Sequence, residues 1–378
     1  MLKKLLLVVS MTTLIAGFAV ADSQTRHIMH NVADSLGVLL PLSLDGDKFL
    51  SPSNRQLVES NLAKLESSAD ALARHGASGS LDFELLASAF ARSVSRLRKD
   101  YRYKNPADAR YLLTDLTQHC VACHSREPTT RDFPLSAALN KYLQEESPVG
   151  PERARLQVAL RQFGGAMQSW ETVLLDPSVQ PVEMAVDGDF VEYLTIAVRV
   201  EQEYDRAARV LRKVAARDDV PFYLRRKLKT WIGDLESMQP HREQPITMEE
   251  ARRIFMRPEK HPGLLSDDSN LVSDLALSAS LRRMVESGKN DPPEQLAEAY
   301  YMLGVIDART VGVYSALPTM ERFWEASIRT APHSHYAVES YALLEEYAAT
   351  TYSGDLPFER TNDMFAHLAK LRAMMGLK

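Results

Sequence analysis

The stretch that decides the fold runs from Asn105-Pro106-Ala107-Asp108 through Leu113 and Leu116 to Cys120-Val121-Ala122-Cys123-His124. It opens as helices open. Asn105 stands as the cap, Pro106 takes the first helical position, and Asp108 puts a negative charge in the first turn. It closes on C-x-x-C-H, the attachment sequence of a c-type haem. Thiols three residues apart lie on one helical face, close enough to add across the two vinyl groups of one porphyrin. His124, directly after the second thiol, can then place an imidazole nitrogen on the iron. Leu113, Leu116, Cys120 and Cys123/His124 share a face, so the site is expected on the side of the core.

Rival readings of two close cysteines fare worse. A structural zinc site wants four ligands, usually from two such pairs, and the chain has 2 cysteines in all. A thioredoxin-like pair belongs in a βαβ pattern, and none surrounds this one. A plain disulfide has no use for the histidine. The expected cofactor is therefore one covalent haem c, with Cys120 and Cys123 as thioethers and His124 as proximal ligand.

Upstream, three more helices read clearly. From Thr25 to Leu40, Met29, Val32, Leu36 and Leu39/Leu40 recur at three and four, one helical face. Pro41 and the Asp45-Gly46-Asp47 turn end it. The next starts near Pro52-Ser53, carries Val58, Leu62, Leu65, Ala69 and Leu72, and stops at Gly76. The third, about Leu81 to Tyr101, presents Phe83, Leu86, Phe90, Val94 and Leu97. Four amphipathic helices with short connections predict an up-and-down bundle.

With C-x-x-C-H near the end of its fourth helix, this bundle resembles the class II cytochromes c, the cytochrome c-prime group and its low-spin relatives. The resemblance covers about Asp22 to Glu127, roughly a quarter of the chain. It implies that any distal iron ligand comes from the first helix, and there it points to Met29. A thioether would make a six-coordinate His/Met haem and raise its potential. The rival reading is a core methionine filling a gap, and other members of the class leave the distal side empty. His30 is rotated by about 100° from Met29 and ranks below it; His27, almost a turn earlier, ranks lower still. His119 should point away from the haem face, to the surface or an interface. Arg126 and Arg131 are candidates to pair haem propionates, with a solvated surface role as the alternative.

From Pro128 to Ser136 a Pro-, Thr- and Ser-rich stretch reads as a link. Beyond it, Phe163-Gly164-Gly165-Ala166 with Trp170 and Val173, and Tyr204-Asp205-Arg206-Ala207 with Leu211 and Val214, share one spacing. Tyr301, Leu303 and Gly304, followed later by Phe323, Ala326, Ile328 and Pro332, echo it. These stretches resemble tetratricopeptide units, in which an aromatic, a small and a large apolar residue interlock with the next helix. The repeats are degenerate: Phe163 to Tyr204 is 41 residues, against a consensus of about 34. Helices are expected at Met248–Met256, Ser269–Glu286, Glu294–Ala308, Pro318–Thr330, Tyr336–Thr351 and Glu359–Met375. Trp170, Trp231 and Trp324 fall at packing positions. His333 and His335 form an H-x-H pair without cysteine or carboxylate company and read as a loop. The expected fold is all-α: a haem bundle over 22–127, a linker over 128–135 and a tetratricopeptide-like solenoid over 136–378.

The compartment is read from residues 1–21. Lys3 and Lys4 precede an apolar run from Leu5 to Val20 that ends on Ala19-Val20-Ala21, an A-x-A cleavage pattern. This is a secretory signal peptide, too short and wrongly flanked for a membrane span. No cysteine follows to take a lipid, and no later segment reads as a membrane span. In a bacterium the destination is the periplasm.

With 378 residues, 45% apolar and 25% charged, the chain has room for two domains with proper cores. Loss of Lys3 and Lys4 takes the formal charge from −5 to −7. That argues against nucleic acid, which wants a basic face. No nucleophile–base pair, phosphate loop or hydrolase metal motif is present, so a carrier is expected rather than an enzyme. The leading expectation is a periplasmic monohaem cytochrome in electron transfer, its repeats docking a protein redox partner. The alternatives are a haem-based gas or redox sensor and a haem-containing scaffold or assembly protein.

Overall fold

A computed structural model describes residues 24–43, 46–76, 81–103, 106–125, 150–186, 188–256, 270–287, 291–314, 320–351 and 358–377. Among the described residues the chain is all-α, with no strand. The expected leader over 1–21, the linker over 128–135, and Arg126 and Arg131 lie outside them. The chain divides into two compact units, Met1–Gln162 and Phe163–Lys378.

The first unit holds α1 (residues 24–43), α2 (Gly46–Leu50), α3 (Arg55–Gly76), α4 (Leu81–Tyr103), α5 (Pro106–His124) and α6 (Gly150–Ala159). Their apolar stripes meet in one core. Ile28, Val32, Leu36, Leu39 and Leu40 come from α1, and Val58, Leu62, Leu65, Ala69 and Leu72 from α3. Phe90, Val94 and Leu97 of α4 and Ala109, Leu113 and Leu116 of α5 complete it. These are the faces that the three-and-four spacing marks out. At Gly76 an added Cβ would lie 3.2 Å from the Cβ of Ala87, so the end of α3 closes on α4 where only glycine fits easily.

Two features depart from the sequence reading. Gly46–Leu50, expected within a turn region, is a short helix. It inserts Phe49, fully buried, edge-on against Tyr101 at a ring separation of 5.5 Å. And α6, which the sequence reading gave to the repeats, belongs to the first unit. It packs on α5, and Leu156 and Leu160 enter the same core. The first unit ends at Gln162.

The second unit begins with α7 (Phe163–Leu174), α8 (Pro181–Val186) and α9 (Asp189–Thr195), which runs on as a π-helical turn over Ile196–Val200. Then come α10 (Tyr204–Ala215), α11 (Phe222–Met238), a 3₁₀ turn at Gln239–Arg242 and α12 (Met248–Phe255). The last five are α13 (Leu271–Ser287), α14 (Pro293–Tyr314), α15 (Met320–Thr330), α16 (His335–Thr351) and α17 (Phe358–Met375). Chain neighbours pack in turn: α10 on α11, α13 on α14, α14 on α15, α15 on α16, α16 on α17. Trp170, Trp231 and Trp324 are all buried. A Cβ at Gly304 would run into the Trp324 indole, so α14 and α15 approach closely there. Glu298 of α14 accepts two bonds from Arg252 and one from Tyr336, each 2.6 Å, tying α12, α14 and α16 together.

Candidate functional site

The last turns of α5 carry the cysteines and histidine. The rest of that helix fixes where they point, because Leu113 and Leu116 are committed to the core one and two turns earlier. Cys120, Cys123 and His124 line one cavity of about 220 Å³ in the first unit. Met29 of α1 lines it too, packed against the core beside Val32. The structure thus brings together all four residues that the sequence singled out. His27 is exposed, and neither it nor His30 is on the cavity wall. Leu72 of α3 and Phe83, Leu86 and Phe90 of α4 make most of the remaining wall apolar.

His124 is buried, and its Nδ1 lies 3.0 Å from the carbonyl oxygen of Val158 in α6. A carbonyl only accepts, so Nδ1 carries the hydrogen and donates it. Burial, helped by the nearby charge of Arg161, pushes the imidazole down to about 4, against the pull of the Val158 bond. At neutral pH the ring is therefore neutral and Nε2 holds a lone pair. A backbone carbonyl on one ring nitrogen is the arrangement that orients a metal-binding histidine through the other.

The local structure explains why that carbonyl is available. The final carbonyls of a helix have no partner within it. At the end of α6 the Gln162 amide donates to the Gln157 carbonyl (2.8 Å) and the Arg161 amide to that of Val158 (2.9 Å). This pair is a Schellman turn, with Arg161 in the position where glycine is usual. Arg161 has a φ of 58°, in the left-handed region. The Val158 oxygen, with two lone pairs, serves both the turn and His124.

The two cysteines are half-buried and not joined in a disulfide. Cys120 Sγ leans toward the Leu116 carbonyl at 3.9 Å. Its apolar surroundings push the thiol up to about 12, so it is a thiol and not a thiolate at neutral pH. His119 corrects the sequence reading. Instead of facing away, it lines the cavity, edge-on to Phe90 at a ring separation of 5.9 Å. Its Nδ1 is buried without a hydrogen-bond partner among the described residues. Burial, with a smaller push from Arg92, takes its imidazole down to about 4. Arg161 is the one permanently charged side chain among the described residues of the wall. Sequence reasoning missed Val158, Arg161 and the position of His119.

Chemically, the wall offers two thiols one turn apart, a neutral imidazole with a free nitrogen lone pair and a thioether, in apolar surroundings. That donor set suits a flat apolar macrocycle carrying a soft-to-borderline metal. Cys120 and Cys123 would be the residues to hold its edge, and His124 and Met29 the candidate ligands of its metal. Elsewhere His333 and His335 are exposed. Among the described residues no three His, Cys, Asp or Glu side chains gather to hold a metal ion. No described helix is long and apolar enough to cross a membrane.

Compared with protein-family models, with curated proteins and with solved structures, the chain finds no match.

Proposed function

We propose that this chain is a periplasmic c-type cytochrome that carries one covalent haem in its first unit and exchanges electrons with a protein partner. The observation that carries the reading is the meeting of Cys120, Cys123, His124 and Met29 on one apolar cavity, with His124 neutral and its Nδ1 committed to Val158. Bound haem supplies the one-electron iron couple. The protein's part is to fix that group and choose its ligands. Cys120 and Cys123 would be the residues that hold it covalently, as thioethers. His124 would offer Nε2 to the iron, its ring oriented by the Val158 carbonyl at Nδ1. Met29 would offer its thioether, a soft sulfur that favours the reduced iron and a higher potential. The apolar side chains of the wall would keep much of the group's surface from water.

The helices α1, α3, α4 and α5 serve as a bundle of the class II cytochrome type, to which α6 is added as a fifth wall. The second unit serves as a tetratricopeptide-like docking platform. The consecutive packing of its helices and the Gly304–Trp324 contact support this. The A-x-A sequence at Ala19-Val20-Ala21 supports export.

An optical spectrum of the purified protein, oxidised and reduced, with and without carbon monoxide, tests the proposal. A six-coordinate low-spin haem that takes up carbon monoxide only slowly is expected. A five-coordinate ferrous haem that binds it at once would replace electron carriage with gas sensing.

A further inference from the structure

We infer that the outward face of the α10–α11 hairpin is the docking surface of the second unit, and that it takes an acidic protein segment carrying an apolar side chain at one end. The inference deepens the docking role proposed above and rests on it.

Three observations point to this face. The first is charge. The chain has 50 acidic against 45 basic residues, yet residues 206–229 hold nine Lys and Arg and two Asp. Part of that charge is met within the unit: Arg206 pairs with Glu171 at 2.7 Å and Arg217 with Asp219 at 2.6 Å. Arg209, Lys213 and Lys229 are exposed and make no ion pair or hydrogen bond among the described residues. Arg209 and Lys213 stand four apart on α10, and Arg226 and Lys229 three apart on α11. Like charges at these spacings weaken a helix, and an acidic partner relieves them. The second observation is geometry. The exposed Arg209, Arg212 and Lys213 recur at three and four on α10, as do Phe222, Arg226 and Lys229 on α11. An Arg212–Glu236 ion pair and a 3.1 Å bond from Gln239 to Asp205 join the borders of the two stripes. They form one face. The third is that Phe222 and Tyr223, at the start of α11, are 77% and 57% exposed. Aromatic side chains beside arginine are the residue types that mark the centre of a protein interface. An anionic membrane fits less well. The exposed Asp218 and Asp219 stand in the turn just before Phe222, where a lipid surface that buried the ring would meet both carboxylates.

Calorimetric titration of the full-length exported chain with a synthetic oligoglutamate peptide ending in Phe-Leu tests this. Binding should weaken as salt is added. It should fall about tenfold in Lys213→Glu with Lys229→Glu, where two attractions become repulsions, and fall again with Phe222→Ser. Lys64→Glu with Lys370→Glu is the control, reversing as many exposed charges on α3 and α17, and should bind as wild type does. Circular dichroism checks that every variant is folded. A wild type that ignores the peptide, or an equal loss in the control, overturns the inference. So do phosphatidylglycerol vesicles that bind through Lys213 and Lys229 while the peptide does not, which would make the face a membrane contact. A chain that lacks haem yet binds the peptide ends the electron-carrier reading and leaves the face; a haem-loaded chain that ignores the peptide does the reverse.

Discussion

Leu156→Ala, made in the full-length chain, asks which unit α6 belongs to. Leu156 is 1% exposed and sits in the core formed by α1, α3, α4 and α5. Truncating a leucine so buried costs about 3 kcal/mol, from lost transfer energy and the space left behind. For a unit of this size each kcal/mol moves the midpoint by roughly 2–4 °C, so the transition should fall by roughly 6–12 °C. The chain offers a clean way to see which transition moves. Its 3 tryptophans, Trp170, Trp231 and Trp324, all lie in the second unit. Tryptophan fluorescence therefore follows the second unit, while circular dichroism follows both. The expected result is a lowered midpoint for one phase in dichroism and an unchanged fluorescence midpoint. A fluorescence midpoint that drops by the full amount, with the remaining dichroism unmoved, would assign α6 to the repeats and refute the reasoning.

Other outcomes follow from the same contacts. Met29→Ala should open the distal side, lower the reduction potential and let carbon monoxide bind at once; a wild-type binding rate would reduce Met29 to packing. Gly304→Ala drives a methyl group against the Trp324 indole, and overpacking of this kind costs about 1–3 kcal/mol. The fluorescence midpoint should drop, and an unchanged one would mean that the helices part without strain. Asp274→Asn bears on pH dependence. Burial pushes the Asp274 carboxyl up to about 7, outweighing the attraction of Arg309 and Arg199, with Asp234 adding to the rise. The folded state thus binds a proton that the unfolded chain has released, and stability falls as pH rises from about 4 to about 7. Asp274→Asn should flatten that slope in urea unfolding followed by fluorescence; an equally steep slope would place its origin elsewhere.

What the sequence made legible is what periodicity encodes. The faces of α1, α3, α4 and α5 repeat at three and four because each lies half in the core and half in water. The Cys120–His124 motif is short and local, so its direction on α5 could be read from Leu113 and Leu116. Other features left no such mark. Leu156 and Leu160 announce a helix but not which core it joins, and Val158 lies 34 residues beyond His124. The contribution of Val158 is a carbonyl, which every residue has. Arg161 hides its turn, since the usual signal there is glycine. His119 misled because helical spacing puts it about 100° from Cys120, yet the cavity is wide enough to include it. Residues Asp189–Thr195 are buried at every position, so α9 shows no amphipathic period.

The central claim is covalent haem on Cys120 and Cys123, and intact mass of the exported protein tests it most directly. The account predicts the mass of Asp22–Lys378 plus one haem, and its loss in Cys120→Ala with Cys123→Ala. A wild-type mass equal to the polypeptide alone, with both thiols open to alkylation after unfolding, would contradict it.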